Sequence, residues 1–113
     1  YHEIEGMRAV LNTMIQRYAA EVIKQPIGWA DAFPYQFKDT DGDGVISDEE
    51  AAVPNAFTDF TPRLMRAAFN YQFSKKDPAG YVHNGKYMLQ LLYDSVEDLA
   101  SVVGPPDAIL ARP

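Results

Sequence analysis

Residues 39–50 read Asp-Thr-Asp-Gly-Asp-Gly-Val-Ile-Ser-Asp-Glu-Glu, and this run is the strongest chemical signal in the chain. Carboxylates stand at its first, third, fifth and twelfth positions, and the seventh position supplies a backbone carbonyl. A twelve-residue EF-hand loop directs the oxygens of these positions at one calcium ion. The sequence therefore predicts one bound calcium ion, with the ligands Asp39, Asp41, Asp43, Val45 and Glu50.

The remaining positions of the run agree with this interpretation. Gly44 stands at the sixth position, where the chain turns sharply, and Ile46 at the eighth is an apolar residue beneath the loop. Ser47 at the ninth position would bind the ion through a water molecule. The alternative is a solvated acidic turn, because Asp and Gly are common in turns. Such a turn would not require the residues to follow the order of the calcium ligands.

The segments on either side of the loop differ from those of an ordinary EF-hand. Residues 29–38 are rich in aromatic side chains, and Pro34 prevents a long helix from entering the loop. The helix expected to begin near Asp48 is cut short by Pro54. No second loop or internal repeat is found, so the sequence favours a calcium site that stabilises the fold over a calcium switch. We expect affinity in the weaker range of extracellular modules, roughly 10⁻⁴–10⁻³ M.

Helical periodicity covers most of the remaining chain. The first helix is predicted to end near Gln25-Pro26, and a second to begin at Thr61-Pro62. The last helix is predicted from just after Asn84-Gly85 to Val103, before Gly104 and two prolines. The apolar faces are Ile4, Met7, Leu11, Met14, Ile15, Tyr18 and Val22 in the first helix, Leu64, Met65, Ala68, Phe69 and Phe73 in the second, and Met88, Leu91, Leu92, Val96, Leu99 and Val103 in the last.

These elements predict an all-α fold of about four helices, with the single EF-hand-like loop between the first helix and the C-terminal helices. We interpret residues 1–113 as one domain, because a chain of 113 residues is too short for two ordinary ones. Its parts are a helix over 1–24, the aromatic segment, loop and short helix over 25–60, two helices over 61–103, and a tail over 104–113. No alternation typical of strands is evident. The aromatic residues of the last two helices are expected mainly in the core.

Composition excludes several classes of function. The net charge of −6 argues against a nucleic-acid partner, and no apolar run approaches the ~20 residues of a membrane span. The chain has no cysteine, which excludes disulfides and a covalently attached c-type haem within these residues. His2 and His83, the only histidines, stand in no metal-binding or catalytic spacing. We find no catalytic residues and predict that the chain is not an enzyme.

Three stretches resemble the C-terminal region of large bacterial multihaem c-type cytochromes: residues 61–73, residues 76–78 and, most specifically, residues 83–99. The lead-in over 33–39 and the acidic loop are similar to the same region. The resemblance implies a periplasmic or extracellular electron-transfer protein whose haem-bearing part lies N-terminal to this chain. Because the Cys-x-x-Cys-His attachment motif is absent, no haem-binding role is assigned to any residue here.

The leading hypothesis is a non-catalytic, structural calcium-binding module of such a cytochrome. Its expected partner is the haem-bearing part of the larger protein or another surface protein. The first alternative is a protein–protein docking module, with or without calcium dependence, and the more distant one is an enzyme domain. A contact between His83 and a haem supplied from outside stays open.

Overall fold

The computed structural model describes residues 2–76 and 80–106, with side chains described for 3–76 and 85–106. Three α-helices and a two-stranded antiparallel sheet make up this part of the chain, rather than about four helices alone. The elements are α1 (His2–Tyr18) with a π turn at Ala19–Ile23, β1 (Ile27–Trp29), β2 (Gln36–Lys38), a 3₁₀ turn at Val53–Asn55, α2 (Pro62–Lys76) and α3 (Gly80–Val103).

The first helix ends in a π turn. The amide of Lys24 donates to the carbonyl of Ala19, and Lys24 adopts the left-handed conformation with φ of 69°, two residues before Pro26. The wider turn interrupts the 3.6-residue period. Val22, predicted on the buried face, is therefore 41% exposed.

The segment before the loop forms a hairpin, which corrects the purely helical expectation. Ile27 pairs with Lys38, Gly28 with Phe37 and Trp29 with Gln36. Each strand has only three residues, too few for the alternation of strand side chains to be visible in the sequence. Phe37 is fully buried, so the hairpin is anchored in the interior.

The helix predicted near Asp48 is absent. The chain makes a single turn there, in which the amide of Ala51 donates to the carbonyl of Ser47 at 3.0 Å, and the short 3₁₀ turn follows. Pro54 lies in that 3₁₀ turn, and in a continuing α-helix it would lack the N–H donor and its ring would clash with the carbonyl four residues earlier.

Most of the predicted bounds of the second and third helices agree with the structure. Thr61 caps α2, its Oγ1 accepting from the amide of Leu64 at 3.2 Å, and Pro62 is the first helical residue. The third helix begins at Gly80, earlier than predicted, so Asn84-Gly85 lies within it. It ends at Val103, and Gly104 follows with φ of 93°. Residues 77–79, between α2 and α3, and residues 107–113 of the predicted tail lie outside the described residues.

Arg17 of α1 holds the end of α3. Its Nη1 donates to the carbonyl oxygens of Gly104 at 3.4 Å and Pro105 at 3.1 Å, and its Nη2 donates to that of Val103. The carbonyl of Val103 belongs to the last turn of α3, at the negative end of the helix dipole, which a guanidinium stabilises.

The core lies where α1 packs against α3 and α2. Leu11, Leu64, Leu92 and Leu99 are fully buried there, as predicted. Met65 and Phe69 are not: they are 51% and 63% exposed, although the sequence places them on the apolar face of α2. Tyr87 is likewise 56% exposed, so the expectation that the helical aromatics lie mainly inside is wrong at these positions. Within the described residues, no helix is long and apolar enough to cross a membrane.

Candidate metal centre

Asp39 enters the loop directly from β2. Its amide donates to the carbonyl of Pro26 at 2.9 Å, which extends the pairing of the hairpin by one step. Its Oδ2 accepts from the amide of Gly44 at 2.7 Å, whereas its Oδ1 is buried without a hydrogen-bond partner. The residue is only 4% exposed. A buried, unpaired carboxylate oxygen is costly and requires a compensating positive charge or donor.

Glu50 closes the loop from its other end. Its Oε1 accepts from the amide of Ser47 at 2.9 Å, and its Oε2 accepts from the amide and hydroxyl of Thr40 at 2.7 and 3.0 Å. These bonds, that of the Ser47 amide first, lower the pKa of Glu50 to about 2. The carboxylate is therefore ionised and fixed in orientation, as a metal ligand must be.

Asp41 and Asp43 form the exposed side of the loop. The amide of Val45 donates to Asp43 Oδ1 at 3.0 Å, and the amide of Asp43 approaches Asp41 Oδ1 at 3.4 Å. The neighbouring carboxylate of Asp39, followed by that of Asp43, raises the pKa of Asp41. Crowded carboxylates repel one another, and a divalent cation would relieve that repulsion.

The four predicted carboxylates meet at one place. One oxygen from each of Asp39, Asp41, Asp43 and Glu50 lies within 4.8 Å of the others. Oxygens that bind one calcium ion at 2.3–2.6 Å can be at most about 5 Å apart, so the spacing suits a single ion. Val45 lies in the same loop with its side chain 64% exposed, and the role of its carbonyl stays a prediction.

Gly42 and Gly44 allow the loop to turn this tightly. Their φ angles are 71° and 81°, values that side-chain-bearing residues rarely adopt. The sharp turn predicted at Gly44 is thus present.

The sequence did not identify two side chains that brace the loop from outside. Gln16 Nε2 of α1 donates to the carbonyl of Gly44 at 3.0 Å. Asn55 Nδ2 donates to the carbonyls of Lys38 and Glu50, both at 2.9 Å, and so joins the two ends of the loop. Neither belongs to the spacing of an EF-hand loop, and no sequence signal distinguishes them from other surface amides.

Ile46 fixes the loop against the hairpin. A Cβ placed on Gly28 would lie 2.7 Å from Ile46 Cγ1, so only glycine allows this close approach. The predicted apolar residue beneath the loop therefore has a definite partner in β1.

We expect Gly28→Ala to lower the free energy of unfolding by about 1–3 kcal/mol, because the added methyl overpacks this contact. Ile46→Ala removes Cγ1, so the double variant should lose less stability than the sum of the two single losses. Urea unfolding of the three variants measures this coupling. Strictly additive losses would contradict the contact.

Comparison with known proteins gives three similar relatives, all from Geobacter sulfurreducens. They are the C-type polyheme cytochrome OmcC and the C-type polyheme cytochrome OmcB of two strains, each 35% identical over 74 residues. The match covers 58% of this chain and 10% of each relative, so the chain spans about a tenth of the length of the proteins it matches. No family profile and no solved structure matches. The chain is related to large multihaem cytochromes, and the resemblance seen in the sequence is confirmed to that extent.

Proposed function

We propose that the chain is a non-catalytic calcium-binding structural module of a periplasmic or extracellular multihaem cytochrome involved in electron transfer. The observation that carries the proposal is the meeting of four carboxylates within 4.8 Å, together with the buried and unpaired Oδ1 of Asp39. The first gives an ion enough oxygen ligands. The second leaves one oxygen whose burial is costly until a cation binds it.

The ion would act as a link between two parts of the fold. Asp39 directly follows β2, whereas Glu50 belongs to the turn that leads to the rest of the chain. Bound calcium would hold the two together in addition to the Asn55 bonds to Lys38 and Glu50. A weak site of this kind is useful where calcium is abundant, which supports a location outside the cytosol.

Calcium titration into chelator-stripped protein tests the proposal. We expect one ion to bind at up to millimolar concentration, with a higher melting temperature and unchanged helix content. Absence of binding at millimolar calcium would overturn the proposal and leave an acidic turn.

A docking module is the second candidate, because exposed aromatic rings occur on the described surface. A calcium-gated form of docking predicts that binding of a hydrophobic dye rises when calcium is added. A structural site predicts no such rise.

A further inference from the structure

The tip of the hairpin carries a cluster of aromatic rings and ammonium groups against the end of α2. Trp29 and Tyr35 stack with centroids 4.9 Å apart, and Phe33 meets Tyr35 edge-on at 6.0 Å. Lys75 Nζ lies 5.5 Å from the centre of the Trp29 ring, and Lys76 Nζ lies 4.9 Å from that of Tyr35. We call these five residues the aromatic–lysine surface.

Part of this surface is explained by the fold itself. Lys76 forms an ion pair with Asp31 of the hairpin tip, and Trp29 packs edge-on against Tyr71 of α2 at 5.2 Å. These contacts fasten the hairpin to the helix. They do not require Phe33.

Two features of the aromatic–lysine surface are not explained by these contacts. Phe33 is 77% exposed, the highest value among the exposed large apolar side chains of the described residues. Tyr35 has φ of 77°, a strained value for a bulky side chain, and this backbone places its ring between Trp29 and Phe33. Tyr35 is itself half-buried, and its strained backbone holds a ring that supports the exposed ring of Phe33. Backbone strain of this kind is found at binding sites.

The charge of the surface differs from that of the whole chain. The chain carries −6, yet two lysines lie at this surface. Lys76 is neutralised by its ion pair with Asp31. Lys75 also acts on Asp31 through its charge but forms no salt bridge among the side chains that the structure describes, 3–76 and 85–106, so it supplies the free positive charge of the surface. The acidic loop begins at the other end of the hairpin, after Lys38. The surface is therefore suited to a flat apolar group that carries negative charge.

We propose that the aromatic–lysine surface docks the exposed edge of a haem carried by another part of the cytochrome, with Phe33 against the macrocycle and Lys75 near the propionates. The inference rests on the proposed function, because the haem is supplied by the larger protein. A haem is a flat apolar ring with two carboxylates, and it complements exposed aromatic rings beside ammonium groups. The chain has no cysteine for attaching a haem of its own by the c-type linkage.

The single tryptophan makes the test direct, since Trp29 belongs to the surface and a nearby haem quenches its fluorescence. The calcium-saturated protein is titrated with microperoxidase, a short peptide that carries one c-type haem. We expect saturable quenching at micromolar concentration. Phe33→Ala should raise the dissociation constant about tenfold, and thermal unfolding should show that it folds normally because the ring is exposed.

Phe69→Ala is the matched control, because Phe69 is 63% exposed but lies on α2 outside the surface. It should leave the dissociation constant unchanged. Lys75→Gln should weaken binding and reduce its dependence on salt. Equal effects of Phe33→Ala and Phe69→Ala, or no saturable quenching, would overturn the inference.

The outcome is separable from that of the calcium proposal. Calcium titration of Phe33→Ala should match that of the unmodified chain, because Phe33 is not a ligand of the loop. Failure of haem docking with calcium bound would overturn only the docking inference, whereas failure of calcium binding would overturn the proposed function.

Discussion

Asp39→Asn is expected to lower the melting temperature of the calcium-saturated protein by about 10 °C and to leave it unchanged or slightly higher in chelator. A ligand present at about 100 times its dissociation constant adds about 2.7 kcal/mol of stability. Each kcal/mol corresponds to about 4 °C for a domain of this size. The variant should lose most of that gain because it removes a buried ligand charge.

In chelator, the melting temperature of Asp39→Asn should be unchanged or slightly higher because the substitution removes a negative charge from a crowded group of carboxylates. The neighbouring Asp39 raises the pKa of Asp41 through a side-chain hydrogen bond, so the ionised form of Asp41 is disfavoured beside Asp39. Asparagine keeps an oxygen that can accept from the amide of Gly44 but carries no charge. Thermal unfolding in calcium and in chelator gives both values.

Glu49→Gln is the matched control, because it removes the same charge from an exposed position that is not a predicted ligand. Its melting temperature should change little in either condition. Asp39→Ala should resemble Asp39→Asn in calcium and lose much less in chelator. Glu50→Gln should lose stability in both conditions and more in calcium, because the Glu50 carboxylate also accepts three hydrogen bonds within the loop. Equal losses in both conditions would mean that the carboxylates stabilise the fold without an ion.

Leu64→Ala is expected to lower the free energy of unfolding by about 2–5 kcal/mol, whereas Met65→Ala at the next position should change it by less than about 0.5 kcal/mol. Leu64 is fully buried and Met65 is 51% exposed. Both substitutions truncate a long apolar side chain in the same turn of α2, so intrinsic helix propensity has little effect on the difference.

Urea unfolding of the two variants, in calcium and in chelator, measures this contrast. The loss in Leu64→Ala should be similar in both conditions, because Leu64 belongs to the helical core and not to the loop. A large loss of unfolding free energy in Met65→Ala would mean that Met65 is buried, as the sequence predicts, and would contradict the packing of α2.

The sequence predicted which four carboxylates lie close together because ligand order is a local property. Asp39, Asp41, Asp43 and Glu50 lie within twelve residues, and the turns at Gly42 and Gly44 lie in the same short run. Gln16 and Asn55 were missed because they reach the loop only after the chain folds. Their amides have no spacing that marks them in advance.

The elements of the fold also differ in whether neighbouring or distant residues decide them. The capping residues Thr61, Pro62 and Gly104 act within one helical turn, so the start of α2 and the end of α3 could be predicted. The hairpin could not, since three-residue strands carry too little alternation to be recognised in the sequence. Periodicity also predicts an apolar stripe on α2, but it does not show how much of that stripe the neighbouring elements cover. For this reason the sequence predicts Met65 and Phe69 in the core, although both are exposed.

By itself the sequence determined the calcium-loop pattern, the mainly helical class and the relation to multihaem cytochromes, because each depends on the order and spacing of neighbouring residues. Only the tertiary structure decided that a hairpin enters the loop, that Ile46 packs on Gly28, and that Phe33 and Lys75 belong to one surface. These features join residues far apart in the chain, and their formation depends on which distant side chains compete for the same space.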